Sequence, residues 1–281
     1  GSKELLYQSI LIFEGEFLIP KGSWVSYIPQ IKSKGGSYSI LETTLEDNFK
    51  LTADTLEAYL SEHKKEDSIL ILNSPNNPTG ALYSDTEYKS LATVCRKYQV
   101  LVFSDEIYSQ INFKNEYSPS ISNYYSEGTI VFGGFSKVFS AGGYRLGYVI
   151  FPQHAVDLKA QFKKILATEY TAVSTPIQYA AIAGFEISHE MDEYFKITRN
   201  IHKIMGEYTY NTLTAIDGIK ATKPESTFYL LADFNAYEPE LQKAKMQQLS
   251  SQYNSSKIKD DIALFVANNY LQVLLAKANL E

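Results

Sequence analysis

Six short apolar runs, parted by longer stretches of mixed character, limit what this chain of 281 residues can fold into. They fall at 17–20, 38–41, 69–72, 100–103, 129–132 and 148–151. Each is short for a helix and suits a buried strand. The stretches between them carry helical periodicity. In 85–98, for example, Leu91, Val94, Cys95 and Tyr98 recur on one face. Alternation of this kind predicts a three-layer α/β domain, a mostly parallel sheet covered by helices.

Folds of this class bind ligands beyond the carboxyl ends of their strands, and three of the predicted ends carry chemistry. After 69–72 comes Asn73-Ser74-Pro75-Asn76-Asn77-Pro78-Thr79-Gly80, a rigid polar loop. After 100–103 come Asp105 and, three residues on, Tyr108. After 129–132 come Ser136 and Lys137, with Arg145 eight positions beyond the lysine among glycines. Lysine forms imines with aldehydes, and arginine is a fixed partner for phosphate. A carboxylate can keep a pyridine nitrogen protonated, and a phenol can hydrogen-bond a phenolic oxygen. Taken singly, each segment has a plainer reading. Lys137 suits a solvated surface, the Asn-Pro loop an ordinary turn, and Ser104 or Asp105 a helix cap. Taken together they suit pyridoxal 5'-phosphate (PLP).

The Asn-Pro-Thr-Gly loop, the Asp-x-x-Tyr after a strand, and the Ser-Lys followed by Arg145 between glycines resemble the class I/II aminotransferases, the fold-type I PLP enzymes. The likeness runs over roughly 1–234 and is most specific between Asn73 and Tyr148. It implies that Lys137 forms a Schiff base with the cofactor and then shuttles a proton between substrate and cofactor. Asp105 would pair with the pyridine nitrogen, Tyr108 and Asn77 with the phenolic oxygen, and Arg145 with the phosphate. Ser136 lies beside the lysine, and Gly134 stands where many members carry a phosphate-contacting serine. Trp24, the only tryptophan, matches the residue that stacks on the ring, though a half-buried core aromatic is the plainer reading. Ser2 and Lys3 resemble the helix start whose N–H groups cradle the phosphate. The resemblance further implies amino-acid and 2-oxo-acid substrates, a homodimer, and an N-terminal arm and small-domain end missing from this sequence. No arginine follows Arg199, whereas the family binds the substrate carboxylate with an arginine in its last strands. Two other readings stay open: a PLP-dependent C–S β-lyase of the same fold, and a non-catalytic ligand-binding module.

Net charge of −6 and a pI near 5.4 argue against nucleic acid or an acidic membrane as partner. No apolar run reaches the ~20 residues of a membrane span. One cysteine, Cys95, excludes an internal disulfide, suits a small core or half-exposed position, and agrees with a reducing, cytoplasmic setting. His63, His154, His189 and His202 lack metal-ligand spacing, so they are read as surface residues and no metal is expected. Helices are expected at 175–187 and 191–213, then strands at 219–221 and 228–234. These divide the chain into a PLP-binding large domain at 1–200 and a partial, smaller α/β domain at 201–281, the boundary falling inside the long helix. The polar stretch 247–257 reads as a loop, and 260–280 has apolar residues near helical spacing.

Overall fold

The computed structural model of the chain describes residues 1–63, 67–115, 117–169, 171–234 and 236. Six strands form one sheet: β1 (Glu16–Pro20), β2 (Ser37–Leu41), β3 (Ser68–Asn73), β4 (Leu101–Asp105), β5 (Thr129–Gly134) and β6 (Gly147–Ile150). Their order is β2-β1-β3-β4-β5-β6, parallel throughout except for the antiparallel edge strand β6. All six apolar runs lie in these strands or overlap them. β4 and β5 continue past the predicted ends, to Asp105 and Gly134, because polar and small residues there still complete the ladder.

Among the described residues eight α-helices accompany the strands: α1 (Ser2–Ile12), α2 (Tyr27–Ser33), α3 (Ala53–Glu62), α4 (Asp85–Tyr98), α5 (Phe135–Val138), α6 (Val156–Glu169), α7 (Thr175–Phe185) and α8 (His189–Thr214). Side chains alternate across each strand. In β3, Ile69 and Ile71 face a cluster built with Leu6 and Ile10 of α1 and Tyr27 and Ile31 of α2. Leu70 and Leu72 face the opposite cluster, with Leu56 and Leu60 of α3 and Leu91 and Cys95 of α4. Burial pushes the Cys95 thiol up to about 12, so it acts as a small core residue. The observed α4 has the predicted bounds. Ser84 caps it and closes a reciprocal box with Glu87.

Helix α8 is different. It has no fully buried residue, and Ile197, Ile201, Ile204 and Tyr208 form an exposed stripe along it. Residue 200 lies in its interior. The described residues separate into a unit of Gly1–Ala215 with Ala221–Ala232 and a second unit to which Ile216–Lys220 and Asp233 belong.

Two expectations are corrected. The run 228–234 is not one strand; only β8 (Ala232–Asp233) is extended, paired with β7 (Lys220–Ala221). Phe228 and Tyr229 instead follow a tight turn at Thr227, which takes φ +60. His202 is not a surface residue but half-buried against the Phe228 ring, centroids 5.4 Å apart, and burial lowers its pKa. The segments 247–257 and 260–280 lie outside the described residues. Among the described residues no helix is long and apolar enough to cross a membrane, and no cluster of His, Cys, Asp and Glu could hold a metal ion.

Candidate active site

Parallel register brings the chemistry-bearing strand ends side by side. Asn73 pairs with Asp105, and Asp105 with Phe132. A cavity of about 240 Å³ lies there, and Ser2, Lys3, Trp24, Asn77, Asp105, Tyr108, Ser136, Lys137 and Arg145 all line it. These residues come from segments up to 143 positions apart in sequence, and only the sheet collects them.

Asp105 ends β4 on the face of α1 and α2 and is buried. Its Oδ2 accepts from the Tyr27 hydroxyl at 2.7 Å and its Oδ1 from the Ile107 N–H at 3.3 Å. Burial raises its pKa, and these two hydrogen bonds pull in the opposite direction. Tyr27 is fully buried, and its pKa rises well above the usual phenol through burial and the neighbouring Asp105. Trp24 meets the Tyr27 ring edge-on at 5.4 Å and carries the Lys3 ammonium over its own ring at 5.3 Å. It is half-buried, so one part of its surface belongs to the core and another to the cavity.

The Asn-Pro loop is tied from both ends. Asn73 Nδ2 donates to the Asp105 carbonyl at 2.8 Å, and its Oδ1 accepts from the Asn77 N–H at 2.8 Å. Asn76 Oδ1 takes the Thr79 N–H and hydroxyl. Asn77 Nδ2 then reaches the Tyr108 hydroxyl at 3.3 Å. Gly80 has φ +71, and a Cβ there would fall 2.5 Å from the Tyr229 carbonyl, so only glycine fits. The Gly80 carbonyl accepts from the Glu225 N–H and the Ser226 hydroxyl, and the Thr79 carbonyl from the Thr222 hydroxyl. The Thr-Gly end of the loop thus anchors residues 222–229, which bring Tyr229 to the cavity wall. Tyr229 lies 3.4 Å from Tyr108, hydroxyl to hydroxyl, and Phe228 meets the Tyr108 ring edge-on. Burial, then Tyr229, raises the Tyr108 pKa.

On the far side, β5 ends at Gly134 and the chain turns at once into the four-residue α5, which carries Ser136 and Lys137. Lys137 Nζ lies over the Phe228 ring at 5.9 Å. Arg145 is exposed and left-handed, φ +53, and its Nη2 lies 3.3 Å from where a side chain on Gly1 would begin. Its guanidinium therefore sits at the N-terminus of α1, where backbone N–H groups are unpaired. A Cβ on Gly147 would fall 2.4 Å from the Ser2 nitrogen, so this glycine lets β6 pass against the same helix start.

The lining combines a buried carboxylate, a phenol hydrogen-bonded to an amide, an amine, and an exposed guanidinium beside helix N–H groups. Such a set suits a planar, protonated heteroaromatic ring bearing a phenol, an aldehyde and a phosphate. Tyr27, Asn73 and Tyr229 are cavity residues that the sequence motifs did not nominate. Tyr27 follows Trp24 by three residues, and Asn73 opens the Asn-Pro segment; both had a local pointer. Tyr229 had none, because its approach depends on the Gly80 anchor.

A family model described as aminotransferase class I and II matches residues 1–268. An aspartate aminotransferase of Bacillus subtilis is 34% identical over 241 residues, which are 82% of this chain and 58% of that protein. An asparagine–oxo-acid transaminase of Streptococcus mutans is 31% identical over 235 residues, 82% of this chain and 58% of that one. Among solved structures, a mutant aspartate aminotransferase of Thermus thermophilus complexed with tryptophan has TM-score 0.77 at 25% identity, over 85% of this chain and 61% of its own. An aromatic aminotransferase from Pyrococcus horikoshii has TM-score 0.73 at 28% identity, over 82% and 61%. The matched region is thus about 58% of the length of the curated relatives.

Proposed function

The chain belongs to the class I and II aminotransferase family, and on that premise we propose that it builds the cofactor site of a PLP-dependent aminotransferase that moves an amino group between an α-amino acid and a 2-oxo acid. The observation that carries this reading is the single cavity lined by all nine residues that the sequence nominated.

When bound, PLP would supply an aldehyde that condenses with amines, releasing water, and a ring that accepts the electron pair left on the substrate α-carbon. The chain's own residues supply the rest. Lys137 Nζ would be the amine that bonds the cofactor aldehyde; freed by a substrate amine, it would take the substrate α-proton and deliver it to the former aldehyde carbon. Asp105, buried and held by Tyr27, keeps negative charge where the ring nitrogen must stay protonated. Tyr108 and Asn77 donate towards the phenolic oxygen. Arg145, Ser2, Ser136 and the N-terminus of α1 hold the phosphate. Trp24 forms a wall for the ring, and Lys3 adds positive charge beside it. Two such chains are expected to pair as a homodimer, as the resemblance implies.

Aspartate is the first donor to test, since several relatives bear the name aspartate aminotransferase. The test is the visible spectrum of the chain loaded with PLP, before and after each of a panel of amino acids. Replacement of the imine band by that of the aminated cofactor, with release of a 2-oxo acid, supports transamination. A 2-oxo acid released with the band intact marks a lyase. A band that no amino acid changes marks a binding module.

A further inference from the structure

Asp105 is the one carboxylate on the cavity wall, and it is buried without an ion-pair partner among the described residues. A buried charge is costly unless hydrogen bonds replace its water. Two are present. The Ile107 N–H is long, at 3.3 Å, whereas the Tyr27 hydroxyl donates at 2.7 Å, the length of a charge-assisted bond. Tyr27 is fixed for the purpose. It opens α2, its ring is fully buried among Leu6, Phe17 and Ile71, and Trp24 blocks rotation from one edge. The phenol therefore stays aimed at Oδ2, while Asp105 still lines the cavity.

We propose that Tyr27 is a positioning residue for the ring-nitrogen contact: its hydroxyl fixes the Asp105 carboxylate in its charged form and in the orientation that receives a protonated pyridine nitrogen. The inference rests on the PLP reading above. Tyr27 acts through Asp105 and needs no contact with the phosphate, the aldehyde or the substrate.

The test uses two ligands, PLP and its carbocyclic analogue with C–H in place of the ring nitrogen, titrated into the full chain by quenching of Trp24 fluorescence. Tyr27→Phe keeps the ring and removes only the donor. It is expected to weaken PLP about tenfold, the worth of one hydrogen bond to a charged group, and to leave the analogue within about twofold. In an Asp105→Asn background the same change is expected to leave PLP affinity unaltered; that background also carries the test if Tyr27→Phe alone fails to fold. Equal weakening of both ligands, or of neither, overturns the inference, as does a further loss in the Asp105→Asn background. A wild-type chain that binds the two ligands equally overturns it while leaving the PLP site standing. A wild-type chain that binds neither overturns the cofactor reading itself, and this inference with it.

Discussion

Asp105 and Arg145 border the same cavity in opposite surroundings. Asp105 ends a central strand, is buried, and is held by Tyr27, Ile107 and, through its carbonyl, Asn73. Arg145 lies on an exposed turn after a short 3-10 segment, and Lys137 is half-buried. The strand-end wall is thus rigid and pays for burying charge, whereas the opposite side is open and costs the fold little. A ring needs a fixed, dry partner. On the proposed PLP reading, an amine that must leave and re-form a bond, and a phosphate that can stay partly hydrated, do not.

The sharpest way to break this contrast is Lys137→Ala. It is expected to abolish the covalent imine band with PLP completely while leaving the thermal midpoint of the cofactor-free chain nearly unchanged. A second change works on the other wall. Asp105→Asn is expected to weaken PLP about 100-fold, the scale for losing one partner of a buried charge pair. The same change is expected to raise the melting temperature of the cofactor-free chain at neutral pH. The sign follows from the upward pKa shift: stability is fully present below the ordinary carboxyl pKa and is lost as pH rises through the higher folded value. Calorimetry on both forms checks this, and a lowered midpoint would place the carboxylate among the stabilising groups. Arg145→Ala is milder. An exposed phosphate contact is worth about tenfold in PLP affinity, and added salt should shrink the gap between variant and wild type.

A separate effect, on stability and not on cofactor affinity, concerns the neighbour of Asp105 on the other face of the sheet. Glu106 Oε1 accepts from the Ser104 and Ser120 hydroxyls, yet burial pushes its carboxyl up to about 7. Between its ordinary 4.5 and about 7 the folded state holds a proton that the unfolded state has released. Stability is therefore expected to fall as pH rises through that window, by at most about 3 kcal/mol at 1.36 kcal/mol per unit. Glu106→Gln should flatten that part of the curve and leave PLP affinity unchanged. Thermal melts at pH values spanning the window are the measurement.

The contrast between the two walls also divides what the sequence made legible. The sheet was readable because each strand is a short apolar run and α4 has a clean apolar face and a capping box. The motif residues were readable because they sit at strand ends, where chain order alone predicts convergence. Tyr27 was legible only as a neighbour of Trp24; its hydrogen bond to Asp105 spans 78 positions, and the sequence does not show that pairing. The run 228–234 looked like one strand on composition, but Thr227 at φ +60 turns the chain and only Ala232–Asp233 is extended. A β-branched residue rarely adopts that conformation. Here its Oγ1 accepts from the Tyr229 N–H, and its own N–H donates to the Ile111 carbonyl. His202 was misplaced because helical periodicity gives the face of α8 it lies on but not that Phe228 covers it.

The central claim is that one cavity holds PLP with Lys137 as its covalent anchor. It is tested most directly by incubating the chain with PLP, reducing with borohydride, and locating the modified lysine by peptide mass spectrometry. The account predicts one modified peptide, carrying the label on Lys137, with labelling prevented by Lys137→Ala. Label on Lys3 or on scattered surface lysines, with Lys137 unmodified, would contradict it.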